Sequence, residues 1–278
     1  MKETSMKALR TSGPTIPPKR TFSLKKTNIS IVGSGNVATH LAIAFHAAGC
    51  QIRQILSRTY EHARLLAMRV DAVPIDDYAS LDEDIDVCIL CVGDDALYDL
   101  ALDLRLRHSL VIHTSGSTPA SILKHISPRY GVVWSPQTFV RDIAMDYSRI
   151  PFCIEGCSDD VVKEIEDLML LVSPCIYHLD GEQRRHAHLA SVMVSNFVCA
   201  INALAQDYMQ GQNLDFSMLR PLAEQTLRKW DFGSLWPQMT GPAVRHDDKT
   251  IAMQRSLLAD QPELLRLYDL MTEIIQSR

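Results

Sequence analysis

The chain has 278 residues, 46% of them hydrophobic and 22% charged, and its 28 lysines and arginines against 33 aspartates and glutamates leave a net charge of -5. That size and apolar share fill one large domain or two ordinary ones, and the negative balance argues against a nucleic-acid or anionic-membrane surface as the main partner. No uninterrupted apolar run approaches the roughly 20 residues needed to cross a bilayer, and seven scattered cysteines fit buried thiols in a reducing, cytoplasmic compartment better than a disulfide framework.

Residues 1–27 differ in character from the rest of the chain. Lys2, Lys7, Arg10, Lys19, Arg20, Lys25 and Lys26 stand against the single acid Glu3, with three prolines and no apolar run. This reads as a disordered basic leader or an upstream start with Met6 as the true beginning; an organellar transit peptide is the other reading.

Ile29, Ile31 and Val32 then predict a short buried strand, followed by Gly33-Ser34-Gly35-Asn36-Val37-Ala38. In this G-x-G-x-x-A turn Gly33 permits the tight bend, Gly35 lets backbone amides approach a diphosphate, and Ala38 lets the helix lie close to the sheet. A second strand, 51–57, ends at Ser57-Arg58-Thr59, where an NAD site usually carries an acid for the ribose 2′-hydroxyl. Arg58 instead suits a 2′-phosphate, with Ser57 and Thr59 as hydroxyl donors, so the expected cofactor is NADP.

A strand around 72–75 and an acidic connection lead to a nearly continuous apolar strand, 86–92, of the kind buried on both faces of a parallel sheet. Cys88 and Cys91 lie within it, an unsuitable setting for a redox or metal C-x-x-C. Val92, Gly93 and Asp94 at its end are placed beneath the nicotinamide half. A fifth strand, 109–113, opens into Thr114-Ser115-Gly116-Ser117-Thr118-Pro119, where Ser117 or Thr118 is expected to cap a helix. Ser115, Gly116 and Ser117 are candidates for gripping a substrate carboxylate. Strands at 132–137, 152–155 and 175–179, with a helix over 159–172, complete a doubly wound sheet extended at one edge.

From Glu182 to Gln210 there is neither glycine nor proline, and apolar residues spread over most of the circumference, which predicts a long, deeply buried helix. His188, Ser191, Ser195, Cys199 and Asn202 fall along one seam at 3.6 residues per turn, with Asn196 beside it; they line a substrate pocket or serve structure alone. His186 and His188, two apart, face nearly opposite ways, so no shared metal is expected. Helices are expected over 215–230, 246–259 and 262–275. Between the first two, Gly241-Pro242-Ala243-Val244-Arg245-His246-Asp247 reads as a cap, with Arg245 as a counter-ion for an anionic substrate.

Gly33-Ser-Gly-Asn-Val-Ala, His113-Thr-Ser-Gly-Ser, His188-Leu-Ala-Ser-Val-Met-Val-Ser-Asn-Phe and Gly241-Pro-Ala-Val-Arg-His-Asp together resemble the Rossmann-like NADP oxidoreductases with a helical C-terminal domain of unassigned function. These are similar in turn to pyrroline-5-carboxylate reductases, deazaflavin-dependent NADP reductases and the 6-phosphogluconate dehydrogenase group. The resemblance implies an α/β architecture: a Rossmann doubly wound parallel sheet over 28–181, then an all-α, 6-phosphogluconate-dehydrogenase-like domain over 182–278 for substrate and dimerisation. It also implies a homodimer through the 182–210 helix. Two departures stand out: the long helix has no lysine where the hydroxyacid dehydrogenases use one, and His246 stands where the family usually has glycine. The expected reaction is hydride transfer from NADPH to a C=O or C=N bond of a small carboxylate-bearing molecule, with His188 as proton donor, Asn196 orienting the reacting centre, and Ser115, Ser117, Ser195 and Arg245 on the substrate. The alternative is an NADP-binding sensor without chemistry.

Overall fold

The computed structural model describes residues 27–278, so the expected basic leader lies outside the described residues apart from Thr27. The chain divides into two compact units, the first reaching to Val192 and the second running from Met193 to Arg278.

The first unit is built on one eight-stranded sheet. Its strands are β1 (Asn28–Val32), β2 (Gln51–Leu56), β3 (Val73–Ile75), β4 (Val87–Leu90), β5 (Leu110–His113), β6 (Tyr130–Trp134), β7 (Phe152–Gly156) and β8 (Ile176–His178), in the order β3-β2-β1-β4-β5-β6-β7-β8. Neighbours run parallel except β6 and β7, which pair antiparallel. Because successive side chains alternate faces, each central strand feeds two cores. Val87 and Ile89 of β4, with Leu110 and Ile112 of β5, join one cluster, whereas Cys88, Leu90 and Val111 join the other. This double coverage is why the strands read as unbroken apolar runs.

The helices α1 (Asn36–Ala47), α2 (Tyr60–Ala67), α3 (Asp94–Asp103) and α4 (Asp159–Met169) connect the strands. Ala38, Leu41, Ala42 and Phe45 of α1 pack into the first cluster, and Leu97 and Leu100 of α3 into the second. Strand order reverses at β1, which lies between β2 and β4, and it is at the carboxyl ends of such a pair that an open α/β sheet offers a crevice. The segment after Pro119 forms a 3-10 helix, Ala120–His125, rather than the expected α-helix, and no side chain of Ser117 or Thr118 caps it.

Helix α5 (Gly181–Val192) ends the first unit. A π turn, Met193–Phe197, and α6 (Val198–Gly211) open the second. The Gly181–Gly211 stretch is long and apolar enough, by length and composition, to cross a membrane. The deep burial expected of it is corrected: Arg184 and Met209 are its buried residues, and Leu189, Phe197 and Ile201 are 54%, 53% and 43% exposed. Apolar residues all round a helix mark a surface suited to being covered, and do not say that its own chain covers it. The single polar seam is corrected too. A π turn takes more residues per revolution than an α-helix, so positions before and after Met193–Phe197 fall out of line. Ser191 donates to Ala187 O (2.8 Å) and Asn202 to Val198 O (2.7 Å), each satisfied by its own helix.

The rest of the second unit is α7 (Arg220–Arg228) between two 3-10 turns, a third 3-10 turn at Trp236–Gln238, then α8 (Asp248–Leu257) and α9 (Pro262–Gln276).

Candidate nucleotide and substrate site

The glycine turn has the geometry its spacing predicts. Gly33 adopts φ +116, and a Cβ there would overlap the Cys91 carbonyl oxygen; only glycine accepts both conditions. Its amide donates to Leu56 O (2.7 Å), fastening the turn to β2. Gly35 caps α1 with no side-chain bond to the first-turn amides, and the space above it is open to 4 Å. Unpaired amides and the positive end of the helix dipole together suit a phosphate. Asn36 and Val37 form the first turn of α1, below that opening.

A cavity of about 350 Å³ joins this turn to the end of β2. Gly33, Ser34 and Gly35 line it with Ser57, Arg58 and Thr59, and with Val92 and Gly93 from the end of β4. Ser34 Oγ donates to Ser57 Oγ at 2.9 Å, bracing the two segments. His62 and Tyr78 also face the cavity; nothing in the sequence singled them out, because both reach it only through the packing of α2 and the turn after β3.

Asp94, next to Gly93 at the start of α3, turns its side chain to the loop after β5. Its carboxylate accepts from Ser117 Oγ at 2.5 Å, tying α3 to the loop after β5. Partial burial works against its ionisation, but hydroxyls of Ser117, Ser115 and Thr118 outweigh burial and hold its pKa below the usual value. Ser115 Oγ accepts from the amides of Ser117 (3.2 Å) and Thr118 (3.0 Å), closing the turn locally. The serine hydroxyls therefore already have partners, and an ionised Asp94 beside them repels a second carboxylate. An acid gripped by Ser115 and Ser117, as the sequence leads one to expect, would meet that charge.

Below the loop, His113 is fully buried. Ser115 N donates to its Nδ1 at 3.1 Å, and Nε2 has no partner within hydrogen-bonding geometry. Burial first, then the Arg184 charge, pushes its pKa down to about 4, against the Pro119 carbonyl and Asp94. Arg184, on the first turns of α5, is 1% exposed, pairs with Glu155, and donates to Thr118 O at 2.6 Å. It locks α5 onto β7 and the serine loop. One helical turn later, His188 stands edge-on to Trp134, ring centroids 5.7 Å apart. A Cβ at Gly116 would lie 2.9 Å from both His188 Cγ and Trp134 Nε1. The first unit thus gathers Ser115, Gly116, Ser117 and His188, and adds Asp94, Trp134 and Arg184.

Ser195, Asn196 and Arg245 belong to the second unit. Ser195 is half-buried and Asn196 exposed on the π turn; Arg245 is exposed in the turn before α8. In that turn Gly241 has φ 117 and His246 φ 51, so the backbone keeps a glycine-type conformation although histidine occupies the position. Asp247 caps α8, accepting from Thr250 N at 3.1 Å.

Burial pushes the Cys88 and Cys91 thiols up to about 12, which leaves them unreactive protonated thiols. Among the described residues no group of three or more His, Cys, Asp or Glu is placed to hold a metal.

A reversing parallel sheet with an uncapped glycine turn beneath its crevice defines a Rossmann-type nucleotide-binding protein with a helical C-terminal part. Residues 18–98 match the model of the shikimate/quinate 5-dehydrogenase family, and residues 150–275 that of a domain of unknown function, DUF2520. A Bacteroides fragilis protein described as a "putative NADP oxidoreductase" is 35% identical, with a TM-score of 0.84 over 92% of this chain and 100% of its own. Protein TM1727 of Thermotoga maritima is 21% identical, TM-score 0.71, over 90% and 97% of the two chains. An imine reductase from Myxococcus stipitatus, solved with NADP+, is 14% identical, TM-score 0.64, over 90% and 93%, and shares the fold. No functionally curated protein matches. The chain belongs to the family of the Bacteroides protein, Rossmann-type proteins with a DUF2520 C-terminal part.

Proposed function

We propose that this protein is an NADP(H)-dependent oxidoreductase that delivers hydride to a C=O or C=N bond of a small molecule. The observation that carries the reading is the cavity in which the uncapped amides of the glycine turn meet Arg58, Ser57 and Thr59. The turn suits a diphosphate, and the guanidinium with two hydroxyls suits a ribose 2′-phosphate. A family member described as an NADP oxidoreductase supports the same cofactor.

The hydride reduces the carbon of the C=O or C=N bond, oxidising NADPH to NADP+, and the oxygen or nitrogen takes up a proton. His188 is the proposed donor, a half-exposed imidazole held against Trp134 and Gly116. Asn196 is the proposed orienting group, exposed on a π turn, a device that gathers at functional sites. Because an ionised Asp94 sits beside the serine hydroxyls, the reducible bond rather than a carboxylate defines the proposed substrate class. Seven free cysteines suit a reducing compartment such as the cytoplasm.

The exposed apolar residues of the 182–210 helix, Leu189, Phe197 and Ile201 among them, support pairing with a second copy through that helix. Sedimentation should give a dimer that a Phe197→Glu, Ile201→Glu double variant splits; a monomeric unaltered protein contradicts the pairing. For the chemistry, NADPH oxidation is followed against 2-oxo acids, ketones and cyclic imines. Turnover that falls about a hundredfold in His188→Ala supports the assignment. NADPH binding without turnover on the whole panel favours a sensor, and unchanged turnover in the variant removes His188 from the mechanism.

A further inference from the structure

The diphosphate of a dinucleotide carries two negative charges, yet residues 33–38 contain no cation. Within the turn itself, neutral amides alone would have to hold it. The loop between β6 and β7 brings one to the place: Arg141 Nη2 donates to the Ser34 carbonyl at 2.9 Å, across 107 residues of sequence.

The arginine is delivered by an anchored loop rather than by a drifting one. His40, in the middle of α1 and 3% exposed, reaches the Val140 carbonyl through Nε2 (2.8 Å) and the Tyr147 hydroxyl through Nδ1 (2.9 Å). The Tyr147 hydroxyl also meets His40 O at 3.1 Å, and the Phe139 ring lies 5.2 Å from the imidazole. Residues 139, 140 and 147 are thereby fixed to the helix whose amino end faces the phosphate. Arg141 comes directly after the pinned Val140. Among the described residues no carboxylate pairs with it; the neighbouring Asp142 instead faces Arg69 at 3.7 Å. Of the five N–H donors a guanidinium carries, the Ser34 bond uses one.

Resting on the nucleotide reading above, we propose that Arg141 is a diphosphate-binding residue, a cation that the β6–β7 loop holds over the glycine turn. Arg58 and Arg141 then divide the cofactor's charge, the first taking the 2′-phosphate and the second the diphosphate. His40, which touches no ligand in this scheme, is the positioning residue that sets where the guanidinium stands.

The test is titration of the full chain, unaltered and as Arg141→Gln and Arg141→Lys, with NADPH and with adenosine 2′-monophosphate, which keeps the adenosine and 2′-phosphate but has no diphosphate. Losing a charge-assisted bond weakens NADPH roughly tenfold to a hundredfold in Arg141→Gln, with adenosine 2′-monophosphate unchanged and the lysine variant in between. Equal weakening of both nucleotides means that Arg141 only braces Ser34 and overturns the proposal, as does no change in either. An unaltered chain that binds the monophosphate but not NADPH also overturns it. An unaltered chain that binds neither overturns the nucleotide reading itself, a distinct failure.

Discussion

His188 and Gly116 meet where a methyl group has no room: a Cβ on Gly116 would stand 2.9 Å from His188 Cγ and 2.9 Å from Trp134 Nε1. The absent side chain lets the imidazole of α5 lie over the serine loop of β5. Arg184, one turn earlier on the same helix, fixes that approach through Thr118.

Gly116→Ala is therefore expected to push His188 off the loop. Overpacking of this kind costs about 1–3 kcal/mol, and displacing a proton donor by an ångström costs on the order of a hundredfold in rate. Thermal melting and kcat with a turned-over substrate check both parts, and a variant with unchanged kcat shows that His188 does not act from this position.

Arg184→Met should be more damaging to stability than its conservative look on a helix suggests. It leaves the Glu155 carboxylate without its buried partner and the Thr118 carbonyl without its donor, a loss of about 3–5 kcal/mol. Denaturant titration checks it; a loss below about 1 kcal/mol, the scale of an exposed pair, contradicts the clamp.

The buried His113 makes stability pH-dependent. Its pKa, about 4 in the folded chain, lies below the unfolded value of about 6.5, so between these values the unfolded state binds more protons. Stability is fully present above the unfolded value and falls as pH drops towards 4, by on the order of 3 kcal/mol for this group. Denaturant titrations of the unaltered chain and of His113→Asn, whose amide oxygen can still accept from Ser115 N, check this across pH 4 to 8. The variant should show the flatter slope over that window; equal slopes contradict it.

His246→Gly should stabilise the turn before α8. At φ 51 a histidine side chain holds a backbone region that glycine enters without penalty, so the replacement gains about 0.5–1 kcal/mol. A lower melting temperature would show that the imidazole makes a compensating contact.

The glycine turn and the Ser57-Arg58-Thr59 segment were legible in the sequence because their chemistry is written in adjacent residues: small residues at fixed spacing after an apolar strand, and a cation where an acid usually stands. Arg184, Trp134 and His62 were not, because each acquires its place only through parts of the chain far away in sequence, Arg184 through Glu155 and Thr118 and Trp134 through His188. A charged residue on a helix ordinarily reads as surface, and Arg184 is 1% exposed. The π turn carries no sequence signal, so a uniform period of 3.6 residues places Ser195 and Asn202 on a seam that the helix does not keep. The 182–210 helix reads as buried in the sequence because an apolar pattern reports the need for a cover and is silent on its source.

Whether Arg58 reads a 2′-phosphate in the cavity beside the glycine turn is decided by titration calorimetry of the full chain with NADPH and NADH, repeated on Arg58→Ala. NADPH should bind at least tenfold tighter than NADH, with the difference abolished in the variant because the guanidinium on the 2′-phosphate is gone. Absence of heat with either nucleotide, or equal affinity for both before the substitution, would contradict it.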